Sequence, residues 1–384
     1  MRPWLPPVQL HFSFKDQGSR VVGMHPATLN RRLEAIGAAG LKRIIFMFKP
    51  IKLKALAAVA GACAAMFASA PANAYVYAVS ELRIRDFTLN IQPTAVTTVG
   101  SFSFDLTNTA TLNGLTSSSS SSCGGTPGPG NNTCGPAPVL NATVVNALGS
   151  TLLRPENSFA FLNADNVNTY SNADSVITSA ELVTGTPTST SQIAESLLNI
   201  NGRARANSEI QSNTSLTVSF SIVGGPATLD LSFKADPDQR AQISGSIGAY
   251  LAQSNMNASI SLSNNTTGGS INWTPRGTNA FNDCVTGLTT AVCTETADDV
   301  TLNKNISTAL NPSTSDSSYD VADFFQNFGI HVANLEAGDY TIALNSLTST
   351  SISRAVPEPG SLGLIGLSLL GLGFGASRRQ SKQG

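Results

Sequence analysis

The sequence predicts an all-β protein: a sandwich or jelly-roll-like ectodomain with one or two short helices, followed by a single C-terminal transmembrane helix. Three observations carry this. Apolar residues recur at every second position, as in Phe102, Phe104 and Leu106 or Leu229, Leu231 and Phe233, which is the period of a half-buried strand. Clusters of Gly, Pro, Asn and Ser punctuate these segments where the chain must turn. The charge-free run from Ser361 to Ser377, seventeen residues long, ends at Arg378-Arg379. As a helix it reaches roughly 25 Å, near the lower limit for crossing a bilayer core.

At the amino end, Lys49, Lys52 and Lys54 precede an apolar stretch over 55–67, and Ala72-Asn73-Ala74 offers the small residues that signal peptidase requires. Residues 1–74 are therefore a signal-peptide region, with Ala72 and Ala74 as the small residues before a single cut and a mature start at Tyr75. Met47, directly before Phe48-Lys49, offers an alternative start of translation. Both starts export the chain.

Residues 75–355 then read as an acidic, Ser/Thr/Asn-rich β ectodomain. Leu82 and Ile84 alternate, as do Phe87, Leu89 and Ile91 after Asp86. Phe102 to Leu106 is a second strand. From Thr107 to Pro138 the pattern is lost around six serines, Ser117 to Ser122, and this stretch reads as a surface excursion. Strand patterns return at 139–145, 158–162 and 176–183. Ser189 and Gln192 have capping-box spacing, with Ile193, Leu197 and Ile200 on one face and Gly202 beyond, which predicts a helix. Leu216 to Phe220 and Leu229 to Phe233, around Gly224-Gly225-Pro226, predict a hairpin. Strands follow at 243–250 and 260–262, with a turn over 264–269. Asp320 caps a predicted short helix through Phe324, Phe325 and Phe328, and Tyr340 to Leu344 forms the last strand.

The ectodomain carries 10 Lys and Arg against 21 Asp and Glu, a balance of −11 that the basic ends of the chain conceal. Such a surface disfavours nucleic acid and anionic lipid. Once Cys63 leaves with the signal peptide, Cys123, Cys134, Cys284 and Cys293 remain. Each sequence-local pair closes a short loop, which favours Cys123–Cys134 and Cys284–Cys293 disulfides in an oxidising compartment. With His331 as the only mature histidine and no Cys-x-x-Cys, no metal site and no cofactor is expected. Asp236 and Asp238, around Pro237 in an expected turn, and the adjacent Asp298 and Asp299 are the oxygen-rich places that calcium would choose. His331 sits between Ile330 and Val332 and should point outward from a strand. No nucleophile motif accompanies it, so no enzyme activity is expected.

The tail completes the reading. Val356-Pro357-Glu358-Pro359 is extended by its prolines and open to an enzyme. It stands ahead of the apolar run 361–377 and the basic pair Arg378 and Arg379, a cytoplasmic stop under the positive-inside rule. This tripartite arrangement over 356–384 resembles the PEP-CTERM sorting signal. The resemblance implies processing by an exosortase, a transient single-pass inner-membrane precursor, and delivery to the cell surface or the exopolysaccharide matrix. The function expected is that of a non-enzymatic exported protein with signal peptidase and exosortase as processing partners. The alternatives are a carbohydrate-binding β-sandwich module that contacts exopolysaccharide through aromatic residues on one face, and a glycan-acting hydrolase using a carboxylate pair.

Overall fold

A computed structural model of the protein describes residues 75–355, apart from 94–96, 127–138, 163–167, 179–187, 200–206, 245–248, 278–282, 310–314 and 322–323. The described residues form sixteen strands: β1 (Tyr75–Gln92), β2 (Thr97–Leu112), β3 (Leu115–Gly125), β4 (Val139–Asn146), β5 (Tyr170–Thr178), β6 (Thr188–Asn199), β7 (Asn207–Ile222), β8 (Ala227–Ser244), β9 (Ala249–Asn264), β10 (Ser270–Trp273), β11 (Cys284–Thr286), β12 (Val292–Asp298), β13 (Lys304–Ala309), β14 (Ser315–Asp320), β15 (Gln326–Leu335) and β16 (Gly338–Ala355). They make two antiparallel eight-stranded sheets packed as a sandwich. The first runs β12-β15-β8-β1-β6-β5-β4, with β14 also on β8; the second runs β11-β10-β9-β16-β7-β2-β3, with β13 also on β9.

Period-two burial is clearest in β8, where buried and more open positions alternate through all eighteen residues. β1 carries a β-bulge at Asp86. The register of β1 shifts between Ile84 and Phe87 against β6, and between Arg85 and Thr88 against β8. Asp86 itself has φ of 56°, a left-handed conformation that Asp tolerates better than most residues. At the β2–β3 hairpin, Asn113 and Gly114 both have positive φ, as a two-residue turn between right-twisted strands requires.

Inside, two apolar clusters sit at opposite ends of the sandwich. The larger gathers Phe87, Phe233, Trp273 and Phe328, with Phe233 stacked on Phe328 at 5.0 Å and 6.0 Å from Trp273. The smaller gathers Val76, Leu112, Leu198, Ile243 and Ile352. Between them lies a buried polar layer: Ser80, Asn108, Ser175, Gln192, Thr214, Gln239, Ser254 and Ser346. Its hydrogen bonds cross from sheet to sheet. Ser175 donates to Asn108 at 3.0 Å, Thr214 to Gln192 at 3.0 Å, and Ser254 to the carbonyl of Val79 at 2.7 Å.

Several expectations are corrected here. Of the predicted helix over 189–202, residues 189–199 belong to β6, while Ile200 and Gly202 lie outside the described residues; Leu197 and Leu198 face opposite sides of the sheet. Both faces are buried because the chain between β4 and β5 packs across the outer face, with Leu152, Phe159, Phe161 and Leu162 against Tyr77, Val79 and Ile193. A strand buried on both sides loses its alternation and imitates a helix. The second predicted helix is also absent among the described residues: Asp320 ends β14, and Phe328 lies in β15. The serine run belongs to β3, an edge strand paired with β2 along its length. Residues 158–162 form no strand. The segment read as one strand over 243–250 is the end of β8 and the start of β9, which lie in different sheets. Likewise Gly224-Gly225-Pro226 reverses the chain without making a hairpin, since β7 and β8 belong to opposite sheets. Turn chemistry reports a reversal, and cannot report whether the next strand pairs with the last or faces it.

Phe233→Ala, at the centre of the aromatic cluster, should cost about 3–5 kcal/mol. Urea denaturation monitored by Trp273 fluorescence measures it. A loss under about 1 kcal/mol would mean that this cluster does not anchor the core.

Candidate functional site

The chain between β4 and β5 crosses the outer face of the first sheet, and a fully buried ion pair holds it there. Arg154 donates from Nη2 to Glu195 Oε2, and neither side chain is exposed. The same guanidinium donates to the carbonyls of Ser158 and Ala160, the latter at 3.1 Å. Glu195 also accepts from Tyr77 at 2.7 Å, from Tyr170 at 3.1 Å and from the backbone N–H of Leu162 at 3.0 Å. Burial, then the neighbouring carboxylate, push the Tyr77 phenol well above its ordinary range, so Tyr77 stays protonated and donates. Both oxygens of Glu195 accept hydrogen bonds, which makes this a fastening. Sequence reading missed both residues, because Arg154 lies in a patternless stretch and Glu195 fell within the predicted helix.

Beside it, along the same sheet, carboxylates face one another across strands. Glu81 in β1 pairs with Asp238 in β8, and Asp238 pairs with Asp320 in β14. Asp236 and Asp238 thus lie within β8, and the turn expected around Pro237 is not there. Pro237 is tolerated because β15 leaves β8 at Ala235 and β14 joins it at Asp238, so the missing N–H falls at a gap in the ladder. Burial raises the Glu81 carboxyl to about 7, outweighing the attraction of Arg83, to which it is hydrogen-bonded. Burial, then Asp320 and Asp236, raise Asp238 to about 6.

A second carboxylate group, Asp283, Glu295 and Asp298, brings its oxygens within 4.8 Å of one another. Glu295 accepts from the indole N–H of Trp273 and from the backbone N–H of Asp283, and Asp298 accepts from the N–H groups of Arg276 and Gly277 at 2.9 and 2.8 Å. Asp299 binds Asn327 through both its backbone N–H and its side-chain amide. These acids therefore tie loops to strands. Gly277 shows how close the fit is: at φ of 73°, a Cβ there would lie 2.4 Å from the nitrogen of Thr301.

His331 points outward from β15, as expected. Its Nδ1 lies 2.6 Å from Asp230 Oδ1 on the exposed face. The Cys284–Cys293 disulfide is formed, and it joins β11 to β12, the facing edges of the two sheets. Cys123 is disulfide-bonded and buried at the end of β3, while Cys134 lies outside the described residues. Tyr75 is the first residue of β1. Ala72 and Ala74, the tail residues Val356, Pro357, Glu358, Pro359, Arg378 and Arg379, and the apolar run 361–377 lie outside the described residues. Among those described, no helix is long and apolar enough to cross a membrane.

A concave site lies at the end of the sandwich where β16 begins. Three turns enclose about 330 Å³: the β9–β10 turn, the loop closed by Cys284–Cys293, and the bend from β15 into β16. Thr267, Gly268, Leu288, Thr289, Glu336 and Tyr340 contribute to its wall. None of these positions was singled out in the sequence as a binding residue, because turn residues carry no periodic signal.

Glu195→Ala would leave Arg154 charged and buried without its partner, a change that costs about 3–5 kcal/mol. Denaturation midpoints and protease cleavage within 147–162 read the effect; an unchanged cleavage pattern would contradict the fastening role. The raised carboxyls give a second expectation. A folded value above the unfolded one contributes stability below about pH 4.5 and loses it as pH rises through 6 to 7. The protein should therefore be more stable at pH 5 than at pH 8, by about 2 kcal/mol from Glu81. Glu81→Gln should flatten that dependence, and a profile that rises toward pH 8 would refute it.

Comparison with curated proteins and with solved structures finds no match. Residues 355–379, which begin at the last residue of β16, match the family model for the PEP-CTERM protein-sorting motif, and the chain is accordingly a PEP-CTERM domain-containing protein, exported and processed by an exosortase.

Proposed function

We propose that the mature domain works without catalysis as a protein of the cell surface or exopolysaccharide matrix, delivered there after both ends of its precursor have been cut. One observation carries this reading: the fold fills the interval between the two processing points. Tyr75 opens β1 and is already paired on both sides, with Asn199 and with Ser244. Ala355 closes β16, paired with Ala249, and the sorting motif starts on that residue. Removing residues 1–74 and the tail therefore leaves all sixteen described strands whole. Signal peptidase would act at Ala72 and Ala74 to expose Tyr75, and the exosortase near Val356-Pro357-Glu358-Pro359, with Arg378 and Arg379 holding the precursor in the inner membrane until then.

Two side chains bear on the non-catalytic reading. His331 bonds to Asp230 on an open sheet face, with no hydroxyl hydrogen-bonded to the ring among the described residues. Glu195, a fully buried acid, has both of its oxygens hydrogen-bonded. The balance of −11 over 75–355 disfavours a nucleic-acid partner.

The test is intact-mass analysis of the exported protein with a Glu358→Ala variant beside it. The parent should begin at Tyr75 and lack the apolar run. Glu358→Ala should accumulate as an uncleaved membrane-bound precursor, since insertion depends on 361–377 and Arg378-Arg379 while cleavage depends on the Pro-Glu-Pro segment. Release of that variant as efficiently as the parent would sink the sorting role given to Glu358.

A further inference from the structure

We propose that the cleft at the β16 entry binds a neutral sugar ring. This goes beyond the sorting role and does not depend on where the protein is finally held. Its volume, about 330 Å³, falls in the lower range of small-molecule sites, about 300–1,000 Å³. The hydroxyls of Thr267 and Thr289 and the carboxylate of Glu336 line it, and none of the three makes a hydrogen bond within the described residues. All three residues are exposed. Two hydroxyls donate and accept, and a carboxylate accepts from two neighbouring hydroxyls, which is the complement of a polyol. Leu288, half-buried in the same wall, offers an apolar surface to the C–H face of a ring.

Charge selects among polyols. No Lys or Arg lines the cleft, and Glu336 repels a uronate, sulfate or phosphate, so the ligand class is neutral. Aromatic stacking is not the recognition mode. Tyr340 stacks on Phe220 at 5.4 Å and donates to the carbonyl of Glu336 at 2.9 Å, so its ring is committed to the core beneath the cleft. Trp273 is fully buried.

The walls are set before any ligand arrives. The Cys284–Cys293 disulfide closes the loop bearing Leu288 and Thr289. Asn264 Oδ1 holds the opposite turn by accepting from the N–H groups of Thr266 and Thr267 at 2.8 and 2.9 Å. A preformed site avoids the cost of ordering its loops on binding. Placement fits as well. β16 runs eighteen residues from Gly338 to Ala355, roughly 60 Å, so the cleft lies at the far end from the point where the sorting tail departs.

The experiment is saturation-transfer NMR on the exported protein with the methyl glycosides of glucose, galactose, mannose and N-acetylglucosamine, and with galacturonate as the charged comparison. At least one neutral glycoside should bind. Glu336→Ala and Thr289→Val should each weaken it about tenfold with the denaturation midpoint unchanged, and EDTA should leave binding intact. No transfer to any neutral glycoside at millimolar concentration would overturn the proposal. So would binding that survives both substitutions, binding that needs calcium, or a preference for galacturonate.

Discussion

The structure depends on a layer of neutral polar side chains laid across the middle of its core. Asn108 in β2 meets Ser175 in β5, Gln192 in β6 meets Thr214 in β7, and Ser196 in β6 meets Thr350 in β16, each pair joining one sheet to the other. Hydrophobic contact is indifferent to a shift of two residues along a strand, because the same face stays inward. These hydrogen bonds are not indifferent. Such a slip would carry a hydroxyl or amide into an apolar cluster, where an unpaired buried polar group costs about 1–3 kcal/mol. In strands of sixteen and eighteen residues, with many competing registers, this layer selects one.

Register in turn fixes where the chain enters and leaves. β1 and β16 lie inside their sheets, each with a partner on both sides. Their outer ends, Tyr75 and Ala355, are at the same end of the sandwich, beside Ser244 and Ala249. Termini on edge strands would tie folding to whatever follows them, whereas central strands complete their ladders without help from the leader or the tail. Under the proposed maturation, cutting at both ends would leave the described ladders of β1 and β16 intact.

Much of the fold was legible in the sequence, and the gaps have physical causes. The strands with one face open to water, β8 above all, announced themselves by alternation, while the bulge in β1 at Asp86 was not read from the sequence. The outward placement of His331 followed from its apolar neighbours. The reading failed where burial comes from a distant segment. β6 is covered by the chain between β4 and β5, so Ile193 and Leu197 on its outer face and Ala194 and Leu198 on its inner face are all buried, and the unbroken apolar run imitated a helix. It failed again at β7 and β8, where local turn residues cannot choose between sheets. The polar run of β3 offered no hydrophobic signal at all, because its partner β2 supplies the order. The tail was readable for the opposite reason: Pro357-Glu358-Pro359, the apolar run and the arginines are recognised as extended chemistry, and need no tertiary context.

The same distinction explains where the disulfide falls. β10 and β11 contain four and three residues, too few for ladder hydrogen bonds alone to hold an edge. Among the described residues β11 has β10 as its one strand neighbour, over three residue pairs. Cys284 and Cys293 join this short edge to β12 on the facing sheet, so covalent closure stands where the backbone ladder is weakest. At the opposite end, long strands and the smaller apolar cluster supply the order up to Ala355. The bridge therefore serves the distal turns more than the core, and the loop it closes is the one whose shape defines the polar cleft.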